Sequence, residues 1–218
     1  MHISWYGQSC FKIQTKPKRG EKNVIITTDI FDTKSGLRPP QGQMDVITLS
    51  NIKYRTKKID KLEKKSFIID ASGEYSLNGV NIEGIESWQD NKQEKGIGRN
   101  TIFIIDSEDI RICHLGNLGQ TLTEEQIEAI GEVDILLIPV GDSNTLNLKA
   151  IKEIIGQLEP GILIPMNYKV KGLKEKLEDC TTFCKEFGGD RIKKEEKLTI
   201  KAKDVKDLEN HLVVLNVN

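Results

Sequence analysis

Histidine and cysteine are the side chains best suited to bind a transition metal or act as a nucleophile, and this chain has few of them. Its three histidines are His2, His114 and His211, and no two of them lie two, three or four residues apart. Compact zinc motifs need such spacing because neighbouring imidazoles must reach the same ion. The sequence therefore lacks every compact histidine-based zinc motif.

The cysteine spacing allows one further metal hypothesis. Cys180 and Cys184 are four residues apart, so on a helix they share a face and could bind a soft metal. However, they extend an apolar stripe formed by Leu173, Leu177 and Phe187. Free cysteine packs as a small hydrophobic residue, so we predict that this pair belongs to the core.

The remaining chemical signals are weak. His114 ends an apolar run, which favours a packed, hydrogen-bonded imidazole, with a lone metal ligand as the alternative. The chain has no Gly-x-Ser-x-Gly nucleophile elbow and no Walker loop. The GNLG segment at 116–119 resembles a ligand-facing loop between a strand and a helix, but two glycines alone are a weak signal. Residue spacing alone thus predicts no catalytic constellation.

Composition limits the partners and the compartment. Lys plus Arg number 32 and Asp plus Glu 33, for a net charge of -1, which argues against a dedicated nucleic-acid binder. No secretory signal pattern is present, and the apolar runs are far shorter than the roughly 20 residues that span a bilayer. The four cysteines lack disulfide-scaffold spacing. We therefore predict a cytoplasmic protein with reduced thiols and no membrane partner.

The polar–apolar pattern predicts the elements that would position any site. Short β-type runs dominate the first half, at 2–6, 9–14, 24–28, 46–49, 66–70, 80–85, 101–105 and 110–113. In the second half, helical patterns at about 123–130, 148–158 and 173–187 alternate with strands at 134–139, 162–165, 198–201 and 212–217, and a short helix is predicted at 204–208. Thr123 and Gln126 form a capping box. This order predicts an α/β fold with a two-sheet sandwich and outer helices, built as one domain over residues 1–218.

Several segments together resemble a known family. They are ISWYGQSCF (3–11), DVITLS (45–50), GEY (73–75), GV (79–80), NT (100–101), RICHLGNLGQ (111–120), DILLIPVG (134–141), LEP (158–160) and IPMNY (164–168). In order and spacing they resemble the small metal-dependent hydrolases of the metallo-β-lactamase superfamily, in the branch grouped with ascorbate-6-phosphate lactonase-like proteins. The resemblance spans essentially the whole chain and implies a four-layer αββα sandwich.

The same resemblance implies where one or two dications, such as zinc, would bind, and there the sequence departs from the family. A family His-x-His-x-Asp-His run is replaced by NIKYRT at 51–56, which puts Asn51, Lys53, Arg55 and Thr56 in place of ligands. The other replaced positions are amides as well: Gln8 near the start, Gln89 before Asp90, Asn117 and Gln120 in the GNLGQ loop, and Asn167 near the end.

These replacements lead us to predict an absent metal cofactor, because neutral amides are poor zinc ligands and Lys53 and Arg55 add positive charge. The first hypothesis is a catalytically inactive structural or interaction protein, as a homo-oligomer or with a protein partner. The second is a module that binds a small anionic or phosphorylated ligand through Lys53, Arg55 and the GNLGQ loop. The third is a residual hydrolase that uses carboxylates among Asp29, Asp32, Glu74 and Asp90.

Overall fold

The computed structural model describes residues 1–17, 22–89, 98–141, 146–189 and 193–218. Its strands are β1 His2–Trp5, β2 Phe11–Thr15, β3 Val24–Thr28, β4 Val46–Thr48, β5 Phe67–Ile69, β6 Gly73–Leu77, β7 Val80–Trp88, β8 Arg99–Ser107, β9 Ile110–His114, β10 Ile135–Pro139, β11 Ile162–Met166, β12 Lys194–Glu195, β13 Leu198–Thr199, β14 His211–Leu212 and β15 Val214–Leu215. The helices are α1 Lys57–Leu62, α2 Glu124–Ile130, α3 Leu148–Leu158 and α4 Thr181–Gly188.

The described strands form two large mixed sheets. The first has the order β13-β1-β2-β3-β4-β5 and the second the order β14-β11-β10-β9-β8-β7-β6, while β12 pairs with β15. Strands β3, β4 and β5 run parallel to one another, as do β9, β10, β11 and β14. Parallel neighbours bring their carboxyl ends to the same edge of a sheet, and ligand sites of α/β proteins commonly lie at such an edge.

The layers follow from where each strand buries its side chains. The inner faces of both sheets enclose one apolar cluster that includes Trp5, Phe11 and Phe103. A second cluster packs the outer face of the second sheet against α2, α3 and α4, with Ile151 and Phe183 among its members. On the outer face of the first sheet, Ile59 of α1 packs in a third cluster. This arrangement confirms the predicted αββα sandwich.

Most predicted elements are present, and the capping box of α2 is confirmed, because Thr123 and Gln126 bond each other's backbone as expected. One helix was predicted too long. The pattern at 173–187 indicated a helix throughout, whereas α4 begins only at Thr181. The backbone before α4 is hydrogen-bonded to other segments, because Lys174 N–H donates to Ser35 O at 2.9 Å and Glu178 N–H donates to Gly141 O at 2.6 Å. The prediction also missed α1 and β6, and the helix predicted at 204–208 is wrong, because the structure has a 3₁₀ turn at Ala202–Asp204 there.

Within the described ranges, no helix has the length and apolar character needed to cross a membrane.

Candidate functional site

The polar positions singled out in the sequence cluster where parallel strands end. Asn51 follows β4, Asn117 follows β9 and Asn167 follows β11 directly. All three are buried, with 5%, 0% and 1% of their surface exposed. Polar side chains are rarely this inaccessible unless they are hydrogen-bonded, so their partners define the site.

Asn117 is the centre of the cluster. Its side-chain oxygen accepts hydrogen bonds from Lys53 Nζ at 3.1 Å and from Asn167 Nδ2 at 3.3 Å. Its Nδ2 donates to the Tyr54 hydroxyl at 3.1 Å. The Asn117 amide is thus hydrogen-bonded to an ammonium, a second amide and a phenol. These bonds join residues more than 100 positions apart in the chain.

Tyr54 fills the space beneath Lys53. Its hydroxyl lies 2.8 Å from Ser9 Oγ in addition to its bond from Asn117, and only 4% of the residue is exposed. Burial raises the pKa of Tyr54 well above its usual value, and the nearby Asp29 carboxylate adds to the effect. The phenol therefore stays protonated. The Lys53 ammonium lies 5.1 Å from the centre of the Tyr54 ring, within cation–π range.

Asn51 and Gln89 form a second, adjoining pair. Asn51 Nδ2 donates to Gln89 Oε1 at 3.2 Å and to Arg99 O at 2.7 Å. The side-chain oxygen of Asn51 accepts from Lys53 N–H at 2.9 Å and caps the 3₁₀ turn Ile52–Tyr54. That cap fixes the turn which carries Lys53 and Tyr54.

The loop that carries Asn117 depends on a glycine and a buried amide. Asn100 Oδ1 accepts from Asn117 N–H at 2.8 Å, while Asn100 Nδ2 donates to Leu115 O at 2.9 Å. Gly116 has a φ of +60°, and a Cβ there would lie 2.5 Å from Asn100 Oδ1. Only glycine allows this close approach without a shift of the loop.

His114 is a packed, hydrogen-bonded imidazole, as predicted, and none of its surface is exposed. Its Nε2–H donates to Ser9 O at 2.9 Å, and its ring meets Phe11 edge-on at 6.2 Å. Burial lowers the pKa of His114, although the Asp29 carboxylate at 4.0 Å opposes that shift. Asp29 itself accepts from Ser50 N–H and Ser50 Oγ–H, both at 2.6 Å.

Three predicted site residues, Arg55, Gln120 and Gln8, have no side-chain hydrogen bond to Asn117 in the described structure. Arg55 donates to Asp70 and Glu63 and lines a cleft of about 310 Å³, whose walls do not include Lys53. Gln120 lies in a different surface pocket, with Gly119 and Asn147.

Gln8 is bonded to the network through its backbone, where its carbonyl accepts from Asn167 N–H at 2.9 Å. Its Nε2 donates to Glu175 Oε2 at 2.7 Å.

Sequence reasoning did not single out Ser9, Tyr54, Asn100 or Glu175 as site residues. Two of them, Ser9 and Asn100, lie within the family-like segments, and Tyr54 lies in the 51–56 run that replaces family ligands. Ser9 and Tyr54 each flank a replaced ligand position, which was a usable signal. Glu175 had no local signal, because its contact with Gln8 spans 167 positions.

The described residues do not converge as a set of zinc ligands. Among the described residues, no three His, Cys, Asp or Glu side chains converge as metal ligands. Asp29 is held by Ser50, Asp32 caps a 3₁₀ turn and Glu74 is exposed on β6, while Asp90 lies outside the described residues. Two buried amide oxygens at the network, Gln8 Oε1 and Asn167 Oδ1, have no partner among the described residues. Neutral amide oxygens alone are weak donors for zinc.

A family model, described as the Beta-lactamase superfamily domain, matches residues 2–167. This match covers most of the chain. The chain belongs to the metallo-β-lactamase superfamily.

Within the metallo-β-lactamase superfamily, the chain is similar to proteins of one hydrolase family. A UPF0173 protein of Pyrococcus abyssi is 27% identical over 189 residues, which cover 79% of this chain and 85% of that protein. A UPF0173 metal-dependent hydrolase of Thermoplasma acidophilum is 23% identical over 192 residues, covering 77% and 83%. Among solved structures, a Thermotoga maritima protein described as a candidate Zn-dependent hydrolase of this superfamily has a TM-score of 0.76 and 34% identity, covering 98% and 97%.

Proposed function

We propose that this chain is a catalytically inactive member of the metallo-β-lactamase superfamily, a pseudoenzyme with a structural or protein-interaction role. One observation carries the proposal: the ammonium of Lys53, a residue that is exposed overall, donates to the buried Asn117 at 3.1 Å, at the edge of a network of amides and a phenol. Asn117 stands where the family resemblance implies a metal-bridging aspartate. An ammonium thus takes the place of the metal's positive charge.

The donor set supports this proposal. A superfamily metal ion lowers the pKa of a bound water toward neutrality, and imidazole and carboxylate ligands hold that ion. Here the converging side chains are Asn51, Gln89, Asn117 and Asn167, all neutral amides. A Zn²⁺ ion would receive no anionic donor from them, so the residues do not fit the group.

Electrostatics at Lys53 point the same way. Two unit charges 4 Å apart interact by about 4 kcal/mol at an effective dielectric of 20, so a dication and an ammonium would repel by about 8 kcal/mol. The ammonium could relieve that repulsion by swinging toward solvent, since Lys53 is exposed overall. The amides left behind would still be weak ligands.

The filled interior supports a structural role. A metal pocket stripped of its ions and left empty would carry unpaired polar groups, at about 1–3 kcal/mol each. Tyr54 and the amides instead bond one another, and only Gln8 Oε1 and Asn167 Oδ1 among the described network atoms are left without a partner. Loss of the metal has been accompanied by a compensating set of hydrogen bonds.

The anion-binding hypothesis has less support. It requires Lys53 and Arg55 to face one ligand, whereas Lys53 donates to Asn117 and Arg55 donates to Asp70 and Glu63. The Asp70 and Glu63 carboxylates already balance the charge of Arg55 and would repel an incoming anion.

The family branch, the oligomeric state and the compartment are proposed from the sequence. The family resemblance favours the ascorbate-6-phosphate lactonase-like branch and self-association, so we propose a homo-oligomer or a protein partner. The balanced charge argues against nucleic-acid binding, the lack of disulfide-scaffold spacing favours a cytoplasmic protein, and the lack of a linker favours a single domain.

The inactivity proposal is tested by hydrolysis assays. The wild-type protein is expected to show no turnover above the blank with chromogenic esters, lactones and phosphodiesters, in added zinc, manganese or iron. The matched control is Asn117→Asp with Lys53→His, assayed beside it so that trace contaminants affect both proteins equally. Wild-type turnover that disappears in an Asn117→Leu variant that remains folded would contradict the proposal.

A further inference from the structure

The thiol pair at the start of α4 lies outside the amide network. Cys180 is the N-cap residue of α4 and is half-buried, while Cys184, one turn further on, is 6% exposed. The Cys184 N–H donates to Cys180 O at 2.8 Å, so the first turn of the helix holds the two residues side by side. No disulfide links the pair in the structure.

The surroundings of Cys180 differ from those of an ordinary core cysteine. The Cys184 thiol donates a hydrogen bond to the Cys180 sulfur and lowers the pKa of Cys180, and the Lys194 ammonium adds to that shift. The buried Tyr168 hydroxyl faces the same sulfur atoms and has no nitrogen or oxygen partner among the described residues. Cys113, in contrast, is fully buried, and burial raises its pKa far above the usual range.

We propose that Cys180 and Cys184 form a peroxide-oxidised dithiol site, with Cys180 as the attacking thiol and Cys184 as the resolving thiol. The assignment rests on position: Cys180 is the member of the pair that solvent reaches, and Cys184 lies behind it on the same helix face. The site is independent of the inactivity of the amide network.

The chemistry balances with a hydroperoxide as the oxidant. The Cys180 thiolate attacks one peroxide oxygen, the O–O bond breaks, and water or an alcohol leaves after protonation, which gives a sulfenic acid. The Cys184 sulfur then attacks the Cys180 sulfur, the S–O bond breaks, and the oxygen leaves as water with the Cys184 proton. Two thiols lose two electrons in total, and the peroxide is reduced by them.

Local geometry makes the resulting disulfide easy to reduce again. Side chains four residues apart on a helix have Cβ atoms about 5–6 Å apart, while a relaxed disulfide needs about 3.5–4.5 Å. Cys180 lies at the helix end, with a φ of −87° and a ψ of 9°, where the chain can adjust. Closure therefore tightens the first turn of α4, and a strained disulfide of this kind is reduced readily.

The experiment treats the intact protein with a small excess of hydrogen peroxide near pH 7.5 and measures intact mass and mapped peptides. The expected result is a loss of 2 Da from two thiols, located at Cys180 and Cys184 and reversed by dithiothreitol. In Cys184→Ser, dimedone should trap a sulfenic acid at Cys180. In Cys180→Ser, which places a favoured N-cap residue at the helix start, loss of the Cys184 thiol should slow at least about tenfold.

Cys113→Ser serves as the matched control and should oxidise at the wild-type rate, because Cys113 is fully buried. The proposal is overturned if the wild-type protein yields no intramolecular Cys180–Cys184 link. It is equally overturned if Cys180→Ser loses the Cys184 thiol as fast as the wild-type protein does.

Discussion

Replacing Asn117 with leucine is expected to lower the free energy of unfolding by about 2–4 kcal/mol. Leucine has a similar volume, so the loss comes mainly from hydrogen bonds rather than from a cavity. It leaves the Asn167 amide without its partner and takes the acceptor from Lys53, while the Tyr54 hydroxyl keeps only its bond to Ser9. Urea denaturation of both proteins at pH 7 measures the difference.

Asn117→Asp is the matched control for that measurement. It keeps an acceptor for Lys53 and turns the contact into an ion pair, so its loss of stability should be at least about 1 kcal/mol smaller than that of Asn117→Leu. Lys53→Met should remove this advantage, because the buried aspartate then has no counter-ion. Equal losses for the leucine and aspartate variants would show that Asn117 contributes through packing alone.

Restoring four ligands is expected to produce the second large effect, a gain of metal binding. The variant combines Asn51→His, Lys53→His, Gln89→His and Asn117→Asp. The side chains at 51 and 89 already meet at 3.2 Å and those at 53 and 117 at 3.1 Å, so the new donors would lie close together. We expect a dissociation constant for zinc at or below about 1 µM, hence about 2.7 kcal/mol of stabilisation at 100 µM free zinc.

The control for this gain is the same variant with Lys53 retained. Its ammonium remains beside residue 117, and repulsion should weaken zinc binding at least about 100-fold relative to the full set. Calorimetric titration with zinc distinguishes the two proteins. If the full variant is folded but binds zinc no better than the control, these positions are not the displaced ligand positions.

The positions of most strands along the chain were predictable from local pattern, because alternating and continuous apolar runs depend only on neighbouring residues. The run at 135–139 is buried at every position, as a strand covered on both faces should be. The failure at 173–180 has a tertiary cause. An apolar stripe indicates a helix, but the backbone N–H groups of Lys174 and Glu178 donate to Ser35 and Gly141 instead of to carbonyls within a helix.

The site was predictable only in part. The contact between Lys53 and Asn117 spans 64 positions, and no spacing rule reaches that far. The order of family-like segments made up for this, since it implied that positions 51, 53, 117 and 167 share one pocket. It could not show side-chain direction: Arg55 pairs with Asp70 and Glu63 and shares a cleft with Asn51, while Gln120 lines a separate pocket.

Metal content shows directly whether the amide-and-lysine site has lost the metal of the superfamily. The wild-type protein is purified without a metal-binding tag, then assayed by elemental analysis before and after incubation with zinc, manganese and iron, followed by dialysis. The amide-and-lysine site predicts less than about one-tenth of an equivalent of each metal throughout. A stoichiometric ion that is lost in Asn117→Leu would contradict the proposal, because Asn117 and the side chains around it would then hold a metal.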